Sequence, residues 1–288
     1  MRILFAMPHY CPSVASERRR HGSLLGRREA RARKLKHGLL AIRQLFGRPQ
    51  CLIDIAGRTT TPTNQSTAGV ADVVVCTTGD AHALDALALA LGEEYFTRAP
   101  SSAEPELLGF ECHRALRERI GGYDYYCYLE DDLLIEDPTY FVKVGWFAEE
   151  FGAECVLMPN RFERGEGRIV HKAYVDGPLK ASAAERYQDR TVMPRLTATV
   201  MGWEVAFERP TNPHSGTFCL TAGQMESWAG QPDFLDRDTG FVGPLESAAS
   251  LGVMKHFRVY KSAPENACFL EVEHQGSAFL GKIRHPEG

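Results

Sequence analysis

A single α/β domain, with helices on both faces of a central and mostly parallel mixed sheet, is predicted by three observations. The first half of the 288-residue chain alternates short apolar runs with stretches of helical periodicity, the pattern of strand–helix–strand units. Its apolar runs are strand-like: "RILFAM" (2–7) and "ADVVVCTT" (71–78), the latter rich in β-branched residues. The composition, 44% hydrophobic and 24% charged, supports an ordinary core in a chain near the upper size of one domain.

Taken in order, "RILFAM" is a buried first strand ended by Pro8, followed by a loop through "CPSVASE". A helix is predicted over about 26–46, where Leu35, Leu39, Ile42 and Phe46 form one apolar face and Gly47 and Pro49 end it. "CLIDIA" (51–56) is a second strand and the Thr-rich 57–69 a loop. After "ADVVVCTT" come a helix over 80–92, a strand at "YFTRA", and a helix over 104–121 with Leu108, Cys112, Leu116 and Ile120 at helical spacing. "YDYYCYL" (123–129) is the next strand. Beyond 140, strands are expected at 155–159, 217–222, "RVYKS" and "CFLEVEH", with helices at "AGQMESWAG" and 243–257, while 161–200 has no assignable pattern.

The formal net charge of −4 conceals an asymmetry. Between Glu17 and Arg48 stand eleven Lys/Arg against two Glu, a balance of +9 that leaves −13 for the remainder. None of the eight cysteines forms a C-x-x-C pair, and Cys51, Cys76 and Cys127 fall within apolar runs. They read as buried thiols of a reducing compartment rather than a disulfide framework or zinc site. The brief apolar N-terminus breaks at Pro8, unlike a signal peptide, and no run approaches a membrane span. The expectation is a soluble cytoplasmic protein.

The chemistry centres on "YDYYCYLEDDLLI" (123–135), where Glu130, Asp131 and Asp132 follow one apolar run and precede another. In a mostly parallel sheet, ligands bind beyond the carboxyl ends of the strands, and this triplet sits at such an end. Crowded carboxylates raise one another's pKa unless a cation compensates. A hard divalent ion, Mg²⁺ or Mn²⁺, takes oxygen ligands and shares them with a phosphate-bearing substrate. The alternative is a solvated turn capping the helix after "EDPTYF".

A strand ending in an Asp-x-Asp-like triplet after some 130 residues of strand–helix units resembles the nucleotide-sugar-dependent glycosyltransferases of the GT-A fold. "EDDLLIEDPTYF" in particular is similar to the N-acetylglucosaminyltransferase I group. The resemblance implies one GT-A-like domain over 1–288, with a Rossmann-like nucleotide-sugar-binding half (1–135) and an acceptor-binding half (136–288). It implies that Asp132 binds the metal with Glu130 supporting it, and that Asp131 lies near the donor's ribose or sugar. Arg114 is then the cation toward the donor sugar or diphosphate, and Tyr10 the ring that stacks on the base. "NPHSGTFCLTAGQMESW" and "FVGPLESAASLGVMKHFRVYKS" resemble the acceptor half, with Glu246 at the position of the catalytic base. Leu245 stands where many of these enzymes carry a further acid; simple helix capping is the other role for Glu246, and Asp236 and Asp238 are rival bases. His274 matches a C-terminal metal ligand, and an imidazole beside carboxylates suits Mn²⁺ better than Mg²⁺.

The implied function is metal-dependent transfer of a sugar from a nucleotide-sugar donor, UDP by default, to a hydroxyl acceptor such as a glycan or glycolipid, with inversion. A nucleotidyltransferase and a non-catalytic carbohydrate- or partner-binding protein are the alternatives. The basic segment 17–48 reads first as a helix packed on the sheet with a solvated face. Contact with an anionic membrane is its second reading. Nucleic-acid binding is not expected, since no motif or aromatic interleaving accompanies the charge.

Overall fold

A computed structural model describes residues 1–12, 28–165 and 170–282. Residues 17–27 of the basic segment lie outside the described residues. In chain order the N-terminal half comprises β1 (Arg2–Pro8), α1 (Arg28–Phe46), β2 (Cys51–Asp54), β3 (Thr59–Pro62), β4 (Val70–Thr78), α2 (Leu84–Leu91), β5 (Thr97–Ser101), α3 (Leu108–Arg117) and β6 (Tyr125–Leu129). Then follow β7 (Leu133–Leu134), α4 (Tyr140–Phe151), β8 (Cys155–Leu157), β9 (Asn160–Arg164), β10 (Lys172–Tyr174), α5 (Ser182–Glu185), β11 (Arg195–Val200) and β12 (Trp203–Glu208). The chain closes with β13 (Thr217–Thr221), α6 (Ala222–Ala229), α7 (Pro244–His256), β14 (Arg258–Ser262) and β15 (Glu271–His274).

The central sheet has the order β13-β6-β1-β4-β5. Its strands β6, β1, β4 and β5 run parallel, and β13 is antiparallel to β6. The two-residue period of a strand divides the core between its faces. Ile3, Phe5 and Met7 of β1 join Cys127 and Leu129 of β6 beneath α1 and α4, whereas Leu4, Ala6, Tyr126 and Tyr128 face α3, α6 and α7. The α1 stripe Leu35, Leu39, Ile42 and Phe46 is buried as its spacing predicts.

Two smaller sheets complete the C-terminal half, β10-β9-β15-β7 and β11-β12-β14-β8. The first positions the site: β15 pairs antiparallel with β7 so that His274 lies opposite Leu133, one residue past the acidic triplet. About a third of 161–200, unassignable by periodicity, forms β9, β10 and β11; β10 and β11 pair with their chain neighbours β9 and β12, and β9 also pairs with the distant β15.

Three expectations are corrected. "CLIDIA" is a strand only over Cys51–Asp54 and does not join the central sheet. Its first four residues pair with β3, within the expected loop, as a hairpin exposed along its whole length. Cys51 is consequently exposed, as is Cys268, while Cys76 and Cys127 are buried. The helix predicted over 104–121 is regular only from Leu108 to Arg117, after a 3-10 turn at Pro105–Leu107. No helix among the described residues is long and apolar enough to cross a membrane.

Candidate active site

The carboxyl ends of β1 and β6 lie side by side, because Ala6 is in register with Tyr128. His9 and the Glu130–Asp132 turn therefore meet just beyond the sheet. The turn is held by hydrogen bonds from Glu130 N to the Gly216 carbonyl (3.0 Å) and from Leu133 N to the Glu130 carbonyl (3.1 Å). Gly216 has φ +65°, and a Cβ there would stand 2.6 Å from Glu130 Oε2, so glycine is required on both grounds.

Asp131 is 5% exposed and bound entirely within the protein. Arg31 Nη2 donates to both of its oxygens (2.7 and 2.8 Å), and His9 Nδ1 lies 2.5 Å from Oδ2. Because His9 Nε2 accepts from Ala83 N (3.2 Å), Nδ1 is left as the donor to Asp131. Burial acts to raise the Asp131 pKa, but the Arg31 charge and the His9 hydrogen bond outweigh it and hold the carboxyl below its usual range.

Asp132 is held more loosely. His274 Nε2 lies 3.4 Å from Asp132 Oδ2, and Lys34 Nζ 3.8 Å. The other imidazole nitrogen is fixed by the buried Glu163, 2.8 Å from Nδ1, which also accepts from Phe279 and Leu280 N–H. Burial disfavours ionisation of Asp132, yet the hydrogen bond and charge of His274, with Lys34 and Arg31, bring its pKa well down. Glu130 behaves oppositely. Burial pushes it up to about 8, against the partial relief of Arg161, whose Nη1 is 3.9 Å away. Arg161 is itself held by Asp176 (2.7 Å).

Glu130, Asp131, Asp132, His274 and Glu246 line one cleft of about 310 Å³, together with Arg31, Lys34, Arg161, His214 and Phe279. Glu246 arrives from the first turn of α7, after Gly243 and Pro244, and one of its carboxylate oxygens is buried without a hydrogen-bond partner among the described residues. An adjoining niche of about 50 Å³ shares Arg31 and the triplet and is otherwise lined by Pro8, Tyr10, Pro105, Leu108, Tyr128 and Leu245 among others. Tyr10 thus borders the apolar end of a continuous charged-to-apolar cleft.

Arg114 is not brought to the cleft. It lies on the α3 surface, ion-paired with Glu111. Asp236 and Asp238, the rival bases, pair with Lys255 at the far end of α7 (2.9 and 2.8 Å). The cations that do enter, among the described residues, are Arg31, Lys34, Arg161 and Lys282, none of which the sequence pattern singles out as a site residue. Arg31 stands four residues before Leu35, on the flank of the helical stripe, and that offset is the one local signal it offers.

Among the described residues no group of three or more His, Cys, Asp or Glu is arranged to hold a metal ion unaided. The donor pair still fits one. Asp132 and His274 face each other, and the second imidazole nitrogen is bound to a carboxylate, as that of a metal-ligating histidine almost always is to some acceptor. A mixed O/N pair also suits an ion that takes its remaining ligands from phosphate and water.

No protein-family model matches the chain, and no curated protein does. Among solved structures the chain is similar to residues 1–349 of TarS from S. aureus (10% identity, 96% of this chain and 61% of that one, TM-score 0.46). It is also similar to glucosyl-3-phosphoglycerate synthase from Mycobacterium tuberculosis in complex with Mn²⁺, UDP and phosphoglyceric acid (12%, 77% and 56%, TM-score 0.37). A third is CMP:2-keto-3-deoxy-manno-octonic acid synthetase complexed with CTP (10%, 92% and 92%, TM-score 0.37). The chain thus spans less than two thirds of the first two. These likenesses concern chain path, and the functional reading rests on the cleft.

Proposed function

We propose that the chain is a metal-dependent glycosyltransferase of GT-A type, transferring a sugar from a nucleotide-sugar donor, UDP-linked by default, to a hydroxyl of a glycan or glycolipid with inversion. The observation that carries this is the facing pair Asp132 Oδ2 and His274 Nε2, 3.4 Å apart beyond the end of β6, with the Glu246 carboxylate in the same cleft. Asp132 and His274 would hold Mn²⁺ or Mg²⁺, with Glu130 beside them. Bound there, the ion neutralises charge that develops on the diphosphate leaving group. Tyr10 at the apolar end receives the base, and Arg31 and Lys34 supply fixed positive charge on the flank toward the diphosphate. Asp131 acts on the donor indirectly, by anchoring Arg31. Glu246 takes the proton of the acceptor hydroxyl as the glycosidic bond forms, since that hydroxyl is too weak an acid to ionise first.

The test is a panel of nucleotide sugars with Mn²⁺ and candidate acceptors, read as released nucleoside diphosphate. The expected result is turnover abolished by chelation and in Asp132→Asn, and slowed by roughly 10²–10⁴ in Glu246→Gln. Turnover that survives both Asp132→Asn and chelation overturns the proposal, and pyrophosphate release from a nucleoside triphosphate instead identifies a nucleotidyltransferase.

A further inference from the structure

The hairpin of β2 and β3 has no place in the candidate active site. All eight strand residues are exposed, and the pair forms a sheet of its own. Leu52 and Ile53 are 66% exposed and Ile55, at the tip, 87%. The one acid at the tip, Asp54, is exposed and accepts a hydrogen bond from Gly57 N (2.9 Å) within the turn. A two-stranded hairpin bare on both faces is marginal in water, and apolar side chains gathered on a protrusion mark a contact surface. Yet its base is firmly built. The Gln50 side chain donates to the Leu45 and Gly47 carbonyls (3.2 and 3.0 Å) and accepts from Asn64 (2.7 Å), tying the hairpin to the end of α1.

Charge identifies the occupant. Arg48 and Arg58 are exposed at the base and tip of the hairpin. The exposed stripe of α1 runs Glu29, Arg33, His37 and Gln44 and continues to Arg48 at spacings of four, four, seven and four, its one acid standing at the start of the helix, the end away from the hairpin. A second copy of the chain fits poorly, because mutual pairing would bring the two arginine rims together. Pro49 precedes β2, and Pro62, opposite Cys51 in the register, offers no N–H to a new strand. An apolar tip framed by cations complements an anionic lipid surface.

We propose that the hairpin inserts Ile53 and Ile55 into the interface of a membrane bearing anionic lipids, with the α1 stripe against the headgroups. This stands independently of the active-site reading. The experiment is co-sedimentation of the full chain with phosphatidylcholine vesicles, with and without phosphatidylserine. It compares the native protein, Ile53→Ser/Ile55→Ser and Arg48→Gln/Arg58→Gln, each checked for native thermal unfolding. Binding should require phosphatidylserine and weaken with salt. It should fall roughly tenfold or more in the serine variant, and similarly in the glutamine variant with a flatter salt dependence. Absence of binding, equal binding to both vesicles, or undiminished binding of the serine variant overturns the proposal. So does a native dimer, measured by light scattering, that the serine substitutions convert to monomer, since the hairpin then belongs to a second copy.

Discussion

Asp131 and Asp132 are adjacent carboxylates with opposite duties, set by what surrounds each. Asp131 is enclosed by Arg31 and His9 at 2.5–2.8 Å, whereas the nearest cations to Asp132 are at 3.4 and 3.8 Å. Removing one partner of a buried ion pair strands the other charge, at a cost of roughly 3–5 kcal/mol. Asp131→Asn should therefore lower stability in urea by about that amount, and raise the KM for donor as Arg31 loses its anchor. Asp132→Asn should cost less stability than Asp131→Asn, because its basic neighbours stand farther off, while abolishing turnover. Equal loss of stability in the two variants would refute this division. The triplet itself was legible in the sequence, because acids between apolar runs are locally anomalous. The duties were not, since Arg31 is a hundred residues away and nothing nearby distinguishes one Asp from the other.

At the scale of elements, the site exists because β13 lies against β6 and β15 against β7. Gly216 is the tightest point of that assembly. Ala there would combine a left-handed backbone with a methyl 2.6 Å from Glu130 Oε2 and 2.9 Å from Leu133 Cδ1. Gly216→Ala is expected to cost about 1–3 kcal/mol and to depress kcat/KM by displacing the triplet. Gly223→Ala, in α6 with nothing near its added methyl, should be neutral or stabilising by up to about 1 kcal/mol. Thermal unfolding and steady-state kinetics on the pair decide it. Helices α1 and α3 were readable because their periodicity is local, and α7 because Gly243-Pro244 opens it. "CLIDIA" misled because an apolar run shows only that a strand is plausible, not what covers it.

Across the whole molecule, the two faces of the sheet are sealed by aromatic layers, and ionisable groups caught there couple the fold to pH. His113 is enclosed by Phe110, Tyr128, Phe218, Trp228 and Phe234 and donates to the Ala248 carbonyl of α7 (2.7 Å). Burial lowers its pKa from 6.5 to about 4, and burial together with Arg161 lowers that of His214 to about 3. Between these values and 6.5 the unfolded chain holds protons that the native state does not. The His113 contribution is thus complete above about pH 6.5 and declines as the pH falls, by on the order of 3 kcal/mol, while Glu130, held protonated in the native state up to about pH 8, acts in the opposite sense. Urea unfolding of the native protein and of His113→Gln between pH 8 and pH 4.5 isolates it: the slope of stability against pH should be less positive in the variant, by the His113 contribution. An unchanged slope would remove His113 as its source.

The sequence by itself determined the order of the packed elements in the N-terminal half, though not the β2–β3 hairpin, and the acidic turn at the end of β6, since both are written in residues within a few positions of one another. It also placed Glu246 at the start of a helix and His274 at the end of a strand. Only the tertiary structure decided that these residues share one cleft, that Arg31 rather than Arg114 reaches it, and that β2 and β3 stand free of the core. Those outcomes depend on which distant strands pair and on which face of each element is covered. Both are properties of the packed whole that no local pattern carries.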